Sequence, residues 1–187
     1  YTTLMPMSLI LAGGCFWCTE HDLREVPGVI DAFSGYTGGS ALDANYEAVS
    51  NHGTLHREAV RVIYDPNRTT FKKLTQFFLD HIDPTDPDGQ FGDRGENYKT
   101  AIYFENDEEK SIAESLIEEL SQSGIYENKI VVQILPKKPF FTGEEYHQKY
   151  AEKNSVHYAM YRKGSGREDF VNNVCQIREE KKINWKD

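Results

Sequence analysis

The chain has 187 residues, 39% hydrophobic and 27% charged, which suits one compact domain with its own apolar core and not a disordered chain. Thirty acidic against 21 basic side chains leave a net charge of −9, which argues against a binder of nucleic-acid phosphates and against a polybasic membrane anchor. No apolar run approaches the roughly 18 residues of a membrane span, and "MSLILA" lacks the basic flank of a signal peptide, so the expectation is a cytoplasmic protein, or one whose leader has been removed.

In chain order, residues 7–12 ("MSLILA") read as a buried strand stopped by Gly13 and Gly14, and a helix is predicted from Phe16 to about Val26, ended by Pro27-Gly28. "GVIDAFSGYTGG" (28–39) reads as a strand entering a glycine-bounded loop. In "REAVRVIYD" (57–65), Val60, Val62 and Tyr64 alternate with Ala59, Arg61 and Ile63, a strand on which Glu58 is expected to face outward. Phe71, Leu74, Phe77, Phe78 and Ile82 carry helical spacing; "DPTDPDGQFGDRG" follows as a long loop. Strands are predicted at 100–105 and 130–135, with a helix striped by Ile112, Leu116, Ile117 and Leu120 between them. Two last helices are predicted, one in "GEEYHQKYAEKN" and one over about 167–181, before a linker-like "REEKKINWKD". The order strand-helix-strand-strand-helix-strand predicts an α+β two-layer sandwich, ferredoxin-like, with a mostly antiparallel sheet, helices on one face and long loops. Residues 1–187 are expected to form a single catalytic domain, its core at about 8–165.

Three cysteines are odd in number and too few for a disulfide scaffold, so their chemistry is the more informative property. Cys15 is placed at a helix N-terminus, where the dipole and free amides favour a thiolate. Gly13 and Gly14 beside it would admit a substrate close to the backbone. Cys18 lies one helical turn on, with its Cα about 5–6 Å from that of Cys15, within disulfide range. A structural zinc site would need about four ligands; there is no second cysteine pair, and His52, His56, His147 and His157 would have to converge through folding. No metal is therefore expected.

"GGCFWC", followed in order by "GYTGG", "NYEAV", "HREAVRVIYDP", "FGDRGENY" and "EEYHQKY", resembles the methionine sulfoxide reductase A family over about residues 8–165. The resemblance implies reduction of methionine S-sulfoxide, free or in proteins, with Cys15 as nucleophile and with Phe16 and Trp17 holding the substrate methyl. It implies Glu58 as the acid that protonates the departing oxygen, Tyr46 and Tyr98 as hydrogen-bonding partners of that oxygen or of the acid, and Asp93 as a binding group acting through water. His147 and Tyr150 would line the site. No metal or organic cofactor is implied; the electrons would come from an external dithiol of thioredoxin type. Cys18 is expected to resolve the Cys15 sulfenic acid, since a CxxC pair has a high effective concentration, with Cys175 as the alternative.

The chain departs from the common family pattern at Cys18, where many relatives have glycine, and at Ala159, where some carry a recycling cysteine; Phe91, Glu96 and Asn97 are also unusual loop residues. Two other readings stand beside this one: a CxxC thiol-disulfide oxidoreductase, and a non-catalytic domain that binds methionine. Fusion to a reductase domain for the other sulfoxide epimer in a longer chain is a further expectation.

Overall fold

The structure, a computed structural model, describes residues 4–187. Its strands are β1 (Met7–Ala12), β2 (Val29–Thr37), β3 (Arg57–Tyr64), β4 (Gly89–Gln90), β5 (Asp93–Arg94), β6 (Ala101–Phe104), β7 (Gln133–Pro136) and β8 (Phe140–Thr142). The helices are α1 (Phe16–Arg24), α2 (Tyr46–Ser50), α3 (Phe71–Leu79), α4 (Asp107–Gln122), α5 (Tyr150–Lys153), α6 (Ser155–Ser165) and α7 (Arg167–Lys181).

The main sheet has the order β7-β6-β1-β3-β2-β8. Its central four strands, numbered along the chain, stand in the order fourth, first, third, second, and are antiparallel throughout. This is the ferredoxin-like arrangement that the strand-helix order predicts. β8 adds an antiparallel edge and β7 a parallel one.

Period-two alternation explains the layering. Leu9 and Leu11 of β1 and Val60, Val62 and Tyr64 of β3 point to the face on which Phe16 and Leu23 of α1, Leu74 and Phe78 of α3, and Leu116 and Leu120 of α4 build the large core. Ile10, Ala12, Ala59, Ala101 and Tyr103 form a smaller cluster on the opposite face, joined by Leu135 and Phe140. Side chains at N-caps start the helices where the sequence provides them: Thr70 accepts from Lys73 N–H at 3.1 Å and Asn106 from Glu109 N–H at 2.9 Å.

The predicted helix in "GEEYHQKYAEKN" is broken into a 3₁₀ turn at Glu145–His147 and the short α5, with Lys149 in the left-handed region between them. The Gln148 side chain holds this segment to β2: it accepts from Ser34 N–H at 3.0 Å and donates to Ser34 O at 2.9 Å. Glu20 of α1 accepts from Lys149 N–H at 2.9 Å. These tertiary bonds replace the local ones a continuous helix would have made. The strand predicted at 130–135 pairs only from Gln133, while Ile130 and Val132 enter the core beside α4.

The tail read as a linker folds back onto the domain. Trp185 Nε1 donates to Asp80 at 2.9 Å beneath the Arg178 guanidinium, and Lys186 N–H donates to Glu119 at 2.6 Å. Among the described residues, no helix is long and apolar enough to cross a membrane.

Candidate active site

A cavity of about 100 Å³ is lined by Cys15, Phe16, Trp17, Tyr46, Glu58, Asp93, Tyr98 and Tyr161. These side chains come from the start of α1, from α2, from β3, from the β5 region and from α6. Seven of the eight are residues singled out in the sequence.

The turn before α1 sets the geometry. Gly14 has φ +82°, a conformation that L side chains rarely adopt, and a Cβ there would lie 2.5 Å from Gln90. A Cβ on Gly13 would meet Phe78 and Thr19 at 2.7 Å. The two glycines therefore serve close packing of the protein on itself, and the sequence-based expectation that they clear space for substrate is corrected. Cys15 is the N-cap residue of α1 and makes no side-chain capping bond. The first free amide of the helix is instead satisfied from the sheet: Phe16 N–H donates to Glu58 Oε1 at 3.2 Å.

Glu58 is only 2% exposed, which corrects the expectation that it faces outward. It shares the phase of Val60, Val62 and Tyr64, so the alternation that buries them directs it inward at the end of the strand where the apolar layer gives way to the cavity. Burial pushes its carboxyl up to about 8; the Phe16 N–H and the Tyr98 hydroxyl pull it down, and Asp93 pushes it up. At neutral pH Glu58 is an acid with a proton to give.

The two thiols are unequal. Cys15 is 6% exposed and Cys18 fully buried, in a small cluster with Tyr158. Burial pushes the Cys15 thiol well up, reinforced by its hydrogen bond with Cys18 and by the Glu58 and Asp93 carboxyls. Cys18 is brought down to about 7, by the hydrogen bond with Cys15 and then, against burial, by the guanidiniums of Arg167 and Arg162. The helix N-terminus expected to favour a thiolate at Cys15 is thus opposed there by burial. The charges of Arg167 and Arg162 act on Cys18.

Trp17 is held on several sides. Its ring stacks on Tyr150 at 3.8 Å, its indole N–H donates to His147 Nδ1 at 3.0 Å, and Tyr161 meets it edge-on. His147 also packs on Phe16 and Tyr46; burial lowers its pKa, so it is neutral and accepts the indole proton. His147 and Tyr150 thus form a second row behind the aromatic wall. Asp93 accepts from the Tyr161 hydroxyl, and burial raises its carboxyl despite that bond.

Tyr161 is the lining residue that sequence reasoning missed. Its signal was the spacing of Tyr158, Tyr161 and Arg162 at i, i+3 and i+4, half hidden by the exposed Val156 and Met160 on the other side of α6. Cys175 is exposed on α7, beside Asp80, His81 and Glu179, and is not among the cavity residues.

A model of the family described as peptide methionine sulfoxide reductase matches residues 7–179. The chain belongs to this family. The peptide methionine sulfoxide reductase MsrA of Bacillus pumilus is 49% identical over 160 residues, covering 86% of this chain and 90% of the relative. The MsrA/MsrB protein of Vibrio cholerae is 42% identical over 164 residues, 88% of this chain but 43% of the relative. Among solved structures, reduced Mxr1 from Saccharomyces cerevisiae superposes with a TM-score of 0.75 at 32% identity, covering 80% of this chain and 86% of that one. Mxr1 in complex with Trx2 superposes at 0.54 with 27% identity, covering 78% and 85%. The ferredoxin-like sheet and the cavity at the start of α1 are thus the frame of an MsrA-type peptide methionine sulfoxide reductase.

Proposed function

We propose that this reductase acts on methionine S-sulfoxide, free or in proteins, with Cys15 as nucleophile, Glu58 as acid and Cys18 as resolving thiol. The observation that carries the reading is the meeting of a buried Glu58, its carboxyl pushed up by that burial, and a buried thiol in one aromatic cavity. A sulfoxide pairs a polar S=O with a methyl group; Phe16 and Trp17 offer an apolar wall, while Glu58, Tyr46 and Tyr98 offer O–H donors.

In the first step the Cys15 thiol passes its proton along its hydrogen bond to the Cys18 thiolate as the Cys15 sulfur attacks the sulfoxide sulfur. Glu58 gives its proton to the oxygen, which transfers to Cys15; methionine departs reduced and Cys15 is oxidised to a sulfenic acid. In the second step the Cys18 sulfur attacks Cys15 and expels the oxygen as water, forming a disulfide. A dithiol of thioredoxin type returns both thiols, a role supported by the complex of the yeast relative with Trx2. The cycle needs no metal or organic cofactor, because thiols supply both electrons.

Asp93 orders polar groups at the mouth through Tyr161, and His147 and Tyr150 keep Trp17 in place. A thiol pair maintained by a dithiol reductant suits the cytoplasm. The Vibrio relative, of which this chain spans less than half, supports fusion to an MsrB domain as an arrangement open to this chain.

The test is a single-turnover reaction without reductant. The pre-reduced chain is expected to form one methionine from the S-sulfoxide, none from the R-sulfoxide, and to lose two of its three thiols to a Cys15–Cys18 disulfide mapped by mass spectrometry. Affinity without product would leave a binding domain; a Cys15–Cys175 link would transfer the resolving role to α7.

A further inference from the structure

We infer that the external reductant attacks Cys15 and that Cys18 is the leaving thiolate, received by Arg162 and Arg167 of the two C-terminal helices. The inference rests on the Cys15–Cys18 disulfide proposed above and adds the direction in which that bond is opened.

Access decides first. Cys18 has no exposed surface, whereas Cys15 lines the cavity. Tyr158 of α6, itself buried, completes the cluster around Cys18, with Trp17, Tyr150, Ala151 and Tyr161 packed outside it. A reductant sulfur entering by the cavity reaches Cys15; reaching Cys18 would require α6 to lift away.

Charge decides next. Arg162 donates to Asp22 at 3.1 Å and to the Tyr158 hydroxyl at 3.0 Å, so its guanidinium is fixed beside the cysteine cluster. Arg167 is 2% exposed and donates to two neutral carbonyls, Gly13 O at 2.8 Å and His81 O at 3.0 Å, with Phe91 against its face. Among the described residues it has no ion-pair partner. A buried cation bound only to neutral groups is costly unless an anion lies near; the Asp93 carboxyl and the Cys18 sulfur both feel the Arg167 charge. Arg167 and Arg162 each favour a charge on the Cys18 sulfur more than Asp22 opposes it, whereas Asp93 acts against a charge on Cys15.

The exchange balances as follows. The reductant thiolate forms a bond to Cys15 Sγ, the Cys15–Cys18 bond breaks, and its electron pair leaves on Cys18 as thiolate. The second thiol of the reductant then attacks the first, becoming half of the reductant's own disulfide and releasing Cys15. The two protons of the reductant dithiol end on Cys15 and Cys18. A disulfide opens faster when the departing thiol is the more acidic one, so the arginines make Cys18 the better leaving group. Arg162 and Arg167 are positioning residues for this step, since they act through Cys18.

The chain, oxidised by one turnover with methionine S-sulfoxide and shown by peptide mapping to hold Cys15–Cys18, is mixed with a thioredoxin whose second active-site cysteine is replaced by serine. After acid quench and alkylation, the adduct is expected on Cys15, with Cys18 alkylated. In parallel, re-reduction by intact thioredoxin is followed in Arg162→Gln, which keeps N–H donors but loses the charge. It is expected to slow by about 3- to 10-fold and its pH profile to move upward, with Arg162→Lys restoring both. An adduct on Cys18 overturns the proposal and leaves the Cys15–Cys18 disulfide standing; so does an Arg162→Gln chain re-reduced as fast as its parent, which decides the matter if no adduct survives. Absence of the Cys15–Cys18 disulfide from the oxidised chain overturns the underlying reading instead.

Discussion

Phe16 N–H donates to Glu58 Oε1 at 3.2 Å, so the first free amide of α1 and the buried carboxyl of β3 position each other. One carboxyl oxygen is thereby committed to the helix, and the Tyr98 hydroxyl also bonds the carboxyl. The bond also fixes Cys15, the preceding residue, relative to the Glu58 carboxyl. This coupling brings a strand residue and a helix N-cap 43 positions apart in number (58 − 15) to one cavity.

Methionine formation in a single turnover should show a bell-shaped pH profile. Below about 7 the thiol pair holds its proton, and above about 8 Glu58 has lost its own, so both limbs are macroscopic values of a coupled site. Glu58→Gln should lower the rate by roughly 10²- to 10⁴-fold and erase the alkaline limb. Stopped-flow or quench measurements across pH 5.5–9.5 (an assay range of about four units that spans both limbs) check this; a retained alkaline limb in the glutamine variant would assign it elsewhere.

The same residue should appear in stability. Burial raises Glu58 from 4.5 to about 8 in the folded chain, so its contribution is fully present below 4.5 and is lost as pH rises toward 8. Glu58→Gln should therefore gain stability relative to the parent chain between those values and level off above them. Urea unfolding at several pH values measures the difference; a constant offset would mean that Glu58 does not titrate over this interval.

Replacing the thiols should separate the two chemical steps. Cys15→Ser abolishes methionine formation. Cys18→Ser still forms one methionine but leaves a sulfenic acid that dimedone traps, and its thioredoxin-driven turnover drops by at least about 100-fold because the neighbouring thiol's effective concentration is lost. Cys175→Ser keeps the parent turnover, consistent with its place on the outside of α7. Methionine and a dimedone adduct from Cys15→Ser, and neither from Cys18→Ser, would reverse the assignment.

Tyr161→Phe removes the hydroxyl that donates to Asp93 while keeping the ring against Trp17. A hydrogen bond to a carboxylate contributes about 1.5–3 kcal/mol, so kcat/KM should fall roughly 10- to 100-fold with only a small change in the unfolding midpoint. An unchanged kcat/KM would limit Tyr161 to packing.

Trp185 secures the C-terminal tail through its bond to Asp80 and its place beneath Arg178. Trp185→Ala should destabilise the domain by about 2–4 kcal/mol, from lost apolar contact, the cation-π contact and a half-buried hydrogen bond, while methionine formation by the folded chain is kept. Denaturant midpoints with an unchanged m-value would register it.

Much of this enzyme is legible in one dimension because the relevant forces are local and periodic. Alternation in β1 and β3, helical spacing in α3 and α4, the turn at Gly13-Gly14 and the ordered motifs around Cys15, Glu58 and Tyr98 follow from side-chain size, period and backbone freedom. The breaks in legibility fall where partners are distant in the chain. Glu58 is inward because it shares the phase of Val60, but its proton is retained because α1, Asp93 and an apolar layer surround it. "GEEYHQKY" forms no helix because Gln148 and Glu20 bind it to β2 and α1. Cys18 is the more acidic thiol because it accepts the hydrogen bond of Cys15 and because Arg162 and Arg167, about 150 residues away along the chain, fold back beside it. Residue types and spacing determined which chemistry the chain carries; the tertiary structure decided which group holds each proton, since that depends on burial and on charges brought together only by folding.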